Sequence, residues 1–107
     1  MPFKRKNRRC KRFDGEWIFK PAGKRLKSLD ITIIKLDELE AMRLCDGENL
    51  SQKDAADRME ISTGTLQRLV YSARKKVVDT LCCEGALELQ VPENIKFDEN
   101  EDKNENI

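Results

Sequence analysis

Between Leu66 and Leu81, apolar side chains recur at Leu66, Leu69, Val70, Ala73, Val77 and Leu81, the spacing of one face of an α-helix. The other face reads Thr63, Gly64, Gln67, Arg68, Tyr71, Arg74 and Lys75, and the stretch from Ser62 to Val78 holds four basic residues and no acid. Ser62 is a capping residue, and Ile61 before it and Leu66 at the fourth helical position are placed as a hydrophobic staple. The spacing predicts a helix opening at Ser62 and reaching about Val78, greasy on one side and cationic on the other.

A shorter helix precedes it. Ser51 caps Gln52 to about Met59, with Asp54 at the third position and Ala55, Ala56 and Met59 as the buried face. The turn Glu60-Ile61-Ser62 joins the two, which is the layout of a helix-turn-helix over residues 52–78. Glu60 stands where such turns favour glycine. A left-handed backbone there costs ~1 kcal/mol or more, unless the turn widens. A first helix is expected from Asp37, with Asp37 as cap and Glu40 completing a capping box. Leu39, Met42 and Cys45 would share its apolar face, beside Ala41 and Leu44, and Asp46-Gly47 would end it. Residues 16–20, 30–35 and 86–91 favour strands. The expected fold is α+β, mainly α: a three-helix core carrying the helix-turn-helix, with a small sheet from the flanking strands.

Composition divides the chain further. Residues 1–28 carry eleven Lys and Arg against two acids, a net +9, residues 29–91 eight basic against twelve acidic, and residues 92–107 two against six. The organisation expected is a flexible basic arm at 1–12, a domain at 13–91 and an acidic disordered tail at 92–107. The chain has no His, which removes the commonest general base and every imidazole metal site. No phosphate loop and no nucleophile–base pair is visible, so no enzyme, catalytic residue or cofactor is expected. Cys10, Cys45, Cys82 and Cys83 lack a C-x-x-C spacing, so no metal site is expected either. Cys45 reads as core, and Cys82 and Cys83 as packed under a helix end. Nothing is long or apolar enough to span a bilayer, and no secretion signal is legible, so the expected location is the cytoplasm.

A cationic helix of this kind suits the major groove, with its first exposed residues at base edges. Thr63, Gly64, Gln67 and Arg68 are the candidates for base reading, Gln suiting adenine and Arg guanine. Ser51, Gln52, Ser62, Thr65, Tyr71, Arg74 and Lys75 are candidates for phosphate contacts, which position without specifying. The arm residues Lys4, Arg5, Lys6, Arg8, Arg9, Lys11 and Arg12 would add phosphate neutralisation. The partner implied is double-stranded DNA, and a homodimer through the sheet or the first helix is expected from small size and operator symmetry.

The sequence resembles a family of small bacterial and archaeal proteins that is uncharacterised and predicted to bind DNA, with a helix-turn-helix similar to region four of sigma factors. The resemblance rests on Phe19-Lys20-Pro21-Ala22-Gly23, on Leu36 to Leu44, on Leu50-Ser51-Gln52 with Ala55-Ala56, on Ser72 to Val77 and on Glu84-Gly85-Ala86-Leu87. It implies a DNA-binding regulator of transcription, with Ser62, Thr63, Gln67 and Arg68 at the usual reading positions. The chain departs from it at Glu60 and Gly64, and in having Cys10 alone near the N-terminus. Two other functions compete: a module that binds the transcription machinery, RNA polymerase included, and a thiol or metal sensor built on Cys10, Cys82 and Cys83.

Overall fold

The computed structural model describes residues 8–11 and 16–97 of the chain. In order, the elements are β1 (Arg8–Cys10), β2 (Ile18–Phe19), a short 3-10 turn (Leu26–Ser28), β3 (Ile31–Lys35), α1 (Leu36–Met42), a wider π-type turn (Arg43–Gly47), α2 (Gln52–Met59), α3 (Thr63–Cys82), β4 (Ala86–Gln90) and β5 (Ile95–Phe97). The fold is α+β and mainly α, with three helices and small sheets.

Local capping explains where the two later helices start. The Ser51 Oγ accepts a hydrogen bond from the Asp54 N–H at 3.0 Å, and the Ser62 Oγ accepts one from the Thr65 N–H at 3.1 Å. Glu60 closes α2 in the left-handed conformation, φ +62° and ψ +43°, so the expected turn forms without widening. Ala55, Ala56 and Met59 of α2 and Leu66, Val70 and Ala73 of α3 are buried. They join Cys10, Leu36, Ala41 and Leu44 in the core, with Ile61 packed against it.

Helix α3 runs four residues beyond the expected end. Its stripe ends on Thr80, which is buried, whereas Leu81 is 73% exposed. The reason is helical periodicity: position 80 continues the row 66, 73, and position 81 lies a further ~100° round. The helix closes where Glu84 turns left-handed, φ +55°, and the Gly85 N–H reaches the Thr80 carbonyl at 3.0 Å. Cys82 and Cys83 are exposed at this end rather than packed under it. A Cβ on Gly85 would lie 2.8 Å from the Asp30 carbonyl oxygen, so the close approach of β4 to the start of β3 requires glycine. In chemical denaturation, Glu84→Gly is expected to stabilise the fold by about 1 kcal/mol. Gly85→Ala should destabilise it by ~1–3 kcal/mol. Opposite signs from these neighbours would be the signature of the closure.

Strand β4 is central in the larger sheet. It pairs antiparallel with β2 (Ile18 opposite Glu88) and parallel with β3 (Ile31 opposite Ala86, Lys35 opposite Gln90). The second sheet corrects the boundaries expected for arm and tail. Arg8–Cys10 and Ile95–Phe97 form a parallel pair, Arg8 opposite Ile95, and Cys10 is fully buried. The basic and acidic segments therefore contribute strands, because Cys10, Ile95 and Phe97 supply apolar area that the charge-rich flanks conceal. Residues 1–7, 12–15 and 98–107 lie outside the described residues.

Helix α1 also differs from expectation. It begins at Leu36, one residue early, and Asp37 is not its cap. Glu38 reaches back to the Lys35 N–H at 2.9 Å, while Glu40 takes two hydrogen bonds from the Arg43 guanidinium, at 2.8 and 2.9 Å. Asp37, Glu38 and Glu40 are all buried. Each has a basic partner: Arg8 lies 3.3 Å from Asp37, Lys76 reaches both Glu38 oxygens at 2.8 and 3.0 Å, and Arg43 holds Glu40. The fully buried apolar residues of this region are Leu36, Ala41 and Leu44, with Leu39, Met42 and Cys45 half-buried. A chain so poor in apolar area buries charges in pairs instead.

Burial pushes the Glu38 carboxyl up, but hydrogen bonds from Lys76, Ser72 (2.6 Å) and the Lys35 N–H outweigh it and hold the group below its ordinary value. A carboxyl depressed in the folded state adds stability above its unfolded value and loses it as pH falls through the folded one. Urea midpoints are therefore expected to drop as pH falls below the ordinary glutamate range. Glu38→Gln should be less stable at neutral pH and show a shallower acid slope.

Candidate nucleic-acid interface

Each residue assigned to base reading stands on the open side of α3. Thr63, Gly64, Gln67 and Arg68 are exposed, and none is covered by another of the described residues. The cap arranges the first turn. Ser62 Oγ, besides accepting the Thr65 N–H, donates to Thr65 Oγ1 at 3.0 Å, and the Arg68 guanidinium donates to the same oxygen at 3.4 Å. Thr65 is half-buried and acts within the cap. Gly64 is not needed for packing, since a Cβ there would meet only the Arg68 guanidinium, at 3.9 Å.

The start of α2 lies beside this face. Gln67 Nε2 donates to Gln52 Oε1 at 2.8 Å, which ties α3 to the first residue of α2 and sets two amides side by side. Ser51 and Gln52 are both exposed. Sequence spacing placed these residues in one motif but gave no sign of the bond between them.

Further along α3 the cations are already engaged. Arg74 donates twice to Asp46, at 2.9 and 2.7 Å, which holds the Asp46 carboxyl down and the Arg74 guanidinium up from their ordinary values. Lys75 lies 3.1 Å from Asp79 one turn on, and its ammonium is raised by that hydrogen bond. Lys76 turns inward to Glu38. Arg68 forms no ion pair among the described residues, and Tyr71 is 71% exposed beside it. The free positive charge of the face is thus concentrated at its N-terminal half. Asp46 was missed because it lies 28 residues from Arg74.

The arm residues divide. Arg8 is buried against Asp37 and is a structural residue, contrary to its assignment to the arm. Arg9 and Lys96 both approach the Glu60 carboxylate, at 3.5 and 3.3 Å, so the small sheet brackets the α2–α3 turn. The Lys11 N–H donates to Glu40 Oε2 at 3.3 Å. Lys4, Arg5, Lys6 and Arg12 lie outside the described residues.

The thiols do not form a common site. Cys10 is buried in the core, while Cys82 and Cys83 are exposed at the end of α3. Burial, then the Asp46 charge, pushes the Cys45 thiol up, away from the reactive thiolate. Among the described residues no three Cys, Asp or Glu side chains gather as metal ligands, and no helix is long and apolar enough to cross a membrane.

Fold and face together define a small, mainly α domain with an exposed polar helix backed by a shorter one. The chain belongs to the family described as "Protein of unknown function DUF134", whose family model matches residues 1–96. It is 42% identical over 89 residues to a UPF0251 protein of Clostridium botulinum (strain Okra / Type B1), covering 83% of this chain and 57% of that one. A UPF0251 protein of Moorella thermoacetica is 41% identical over 83 residues, 78% of this chain and 56% of its own. The chain thus spans little more than half the length of these curated relatives. No solved structure matches it.

Proposed function

We propose that the α2–turn–α3 unit is a helix-turn-helix that binds duplex DNA with sequence selectivity, in the control of transcription. The observation that carries this reading is the Gln52–Gln67 hydrogen bond, 2.8 Å, on an open face that also holds Thr63, Gly64 and Arg68. It sets the start of α2, with its backbone N–H groups, beside the exposed side of α3. A helix entering the major groove needs both: side chains at base edges, and a neighbouring helix start near a phosphate. Gln67 and Arg68 read bases, with Thr63 and the bare backbone at Gly64 alongside. Ser51, Gln52, Ser62, Thr65 and Tyr71 meet or shape contacts to phosphate. Lys75 joins them by leaving Asp79, an exposed pair worth little. Arg74 must leave a two-bond pair with Asp46, and so contributes less.

Selection of bound fragments from a random duplex library by the full chain tests the reading. Enrichment of one motif supports it, and recovery without enrichment removes the selectivity. A module that only docks on the transcription machinery would enrich nothing. The arm is tested by deleting residues 1–7, which spares Arg8–Cys10. The expected result is weaker binding to all duplexes and a flatter salt dependence.

A further inference from the structure

Between Trp17 and Leu29 the chain holds Lys20, Lys24, Arg25 and Lys27 and no Asp or Glu. The loop that carries them is braced by its own hydrogen bonds. The Lys24 N–H donates to the Pro21 carbonyl at 3.4 Å across Gly23, whose φ of +80° suits glycine. Lys20 Nζ donates to the Lys24 carbonyl at 2.6 Å, and the Ser28 N–H and Oγ donate to the Arg25 carbonyl at 3.0 and 2.8 Å. A braced loop loses less entropy on meeting a ligand than a loose one. On the helices, by contrast, Arg43, Lys53, Arg74, Lys75 and Lys76 each face a carboxylate, and among the described residues Arg58 and Arg68 do not. In the loop, Arg25 and Lys27 are exposed without an ion pair among the described residues, and Lys24 has the exposed Glu84 at 3.8 Å.

The loop also stands beside α3. Phe19, Lys20 and Pro21 lie across a groove from Val77, Thr80 and Leu81. Val77 and Leu81 are ~80° and ~40° round the helix from Gln67, in the same sense. The loop therefore flanks the reading face at its far end, where the helix's own cations Arg74, Lys75 and Lys76 are engaged by acids. From this placement we infer that the loop from Lys20 to Lys27 is a second duplex contact, which holds phosphates outside the bases read by Gln67 and Arg68. The inference rests on the DNA reading and deepens it. Gln67 and Leu81 are fourteen positions apart, about 21 Å of helix, so the contact falls at most about six base pairs to one side. It adds affinity and salt dependence without base identity. It requires α3 to lie along the groove, since a helix entering end-on would carry the loop away from the duplex. Lysines beside the exposed Trp17 and Phe19 would also suit an anionic bilayer surface, but continuity with the open face of α3 favours duplex.

The test is fluorescence anisotropy of the full chain on two duplexes. One is just long enough to hold the selected motif, and the other carries about ten arbitrary base pairs more on either side; random sequence serves if none is enriched. The longer duplex is expected to bind about ten- to a hundredfold tighter, with the gain coming from one side. Lys24→Gln, Arg25→Gln and Lys27→Gln together should abolish that gain and lower the salt slope by about three, leaving motif preference intact. All three side chains are exposed, so an unchanged urea midpoint is expected. A wild type indifferent to the added length overturns the inference. So does a triple variant that keeps the gain, or one that loses equally on both duplexes. Loop-dependent binding to vesicles of equal phosphatidylcholine and phosphatidylserine, with duplex binding unchanged in the variant, would move the loop to a bilayer and overturn it too. Motif selection without dependence on length strikes the loop and leaves the DNA reading. Loop-dependent binding without motif preference strikes selectivity and leaves the loop, and no duplex binding at all ends both.

Discussion

Replacing Arg8 by alanine is expected to lower unfolding stability by about 3–5 kcal/mol, a large part of what a small domain possesses. Asp37 is 1% exposed, and the Arg8 guanidinium is 3.3 Å from its carboxylate. Without Arg8 the carboxylate retains the Glu38 N–H at 2.9 Å. A polar group buried without its partner destabilises the fold. The backbone bond from the Arg8 N–H to the Asn94 carbonyl, 2.9 Å, survives the substitution, so the loss reports on the side chain. Arg9→Ala is the control. Its pair with Glu60 is exposed and 3.5 Å long, and removing it should change stability by less than ~1 kcal/mol. Adding Asp37→Asn to Arg8→Ala should recover part of the loss. Urea denaturation of the four chains decides it: equal small losses at both arginines would place Arg8 back among solvated arm residues.

That contrast also shows why some of the fold was legible and some was not. The starts of α2 and α3 are written locally, in Ser51 with Asp54 and Ser62 with Thr65, three residues apart in each case. At Glu60 the residues left a left-handed turn and a wider one both open, and the left-handed one forms. The β1–β5 pair joins the two ends of the described chain, and three-residue strands rich in charge leave no periodic trace. The acids of α1 read as surface caps because their partners, Arg8 and Lys76, stand 29 and 38 residues away. On the candidate face, exposure was legible from the helical period, since every residue opposite the apolar stripe is exposed. Neutralisation of Arg74 by Asp46 was not, because it depends on how the π-type turn after α1 meets α3.

The sharpest separation is expected among Gln67, Arg68 and Gly64. Arg68→Ala or Gln67→Ala should weaken binding to the selected duplex by ~10–100-fold, the value of a two-bond base contact, and weaken random duplex much less. Lys75→Ala should instead weaken both alike and reduce the salt slope by about one, as a phosphate contact does. Gln67→Ala has a second consequence, for it frees the Gln52 amide held at 2.8 Å, so Gln52→Ala is needed to divide the effect between reading and positioning. Gly64→Ala isolates the backbone. A methyl there meets only the flexible end of Arg68 at 3.9 Å, so the helix should hold its stability or gain ~0.5–1 kcal/mol. Loss of duplex binding without loss of stability would then mean that the groove comes within a methyl's reach of the α3 backbone. Equal losses on selected and random duplex at both Gln67 and Arg68 would strip this face of base reading, and retained binding in Gly64→Ala would place the bases nearer the side chains than the backbone.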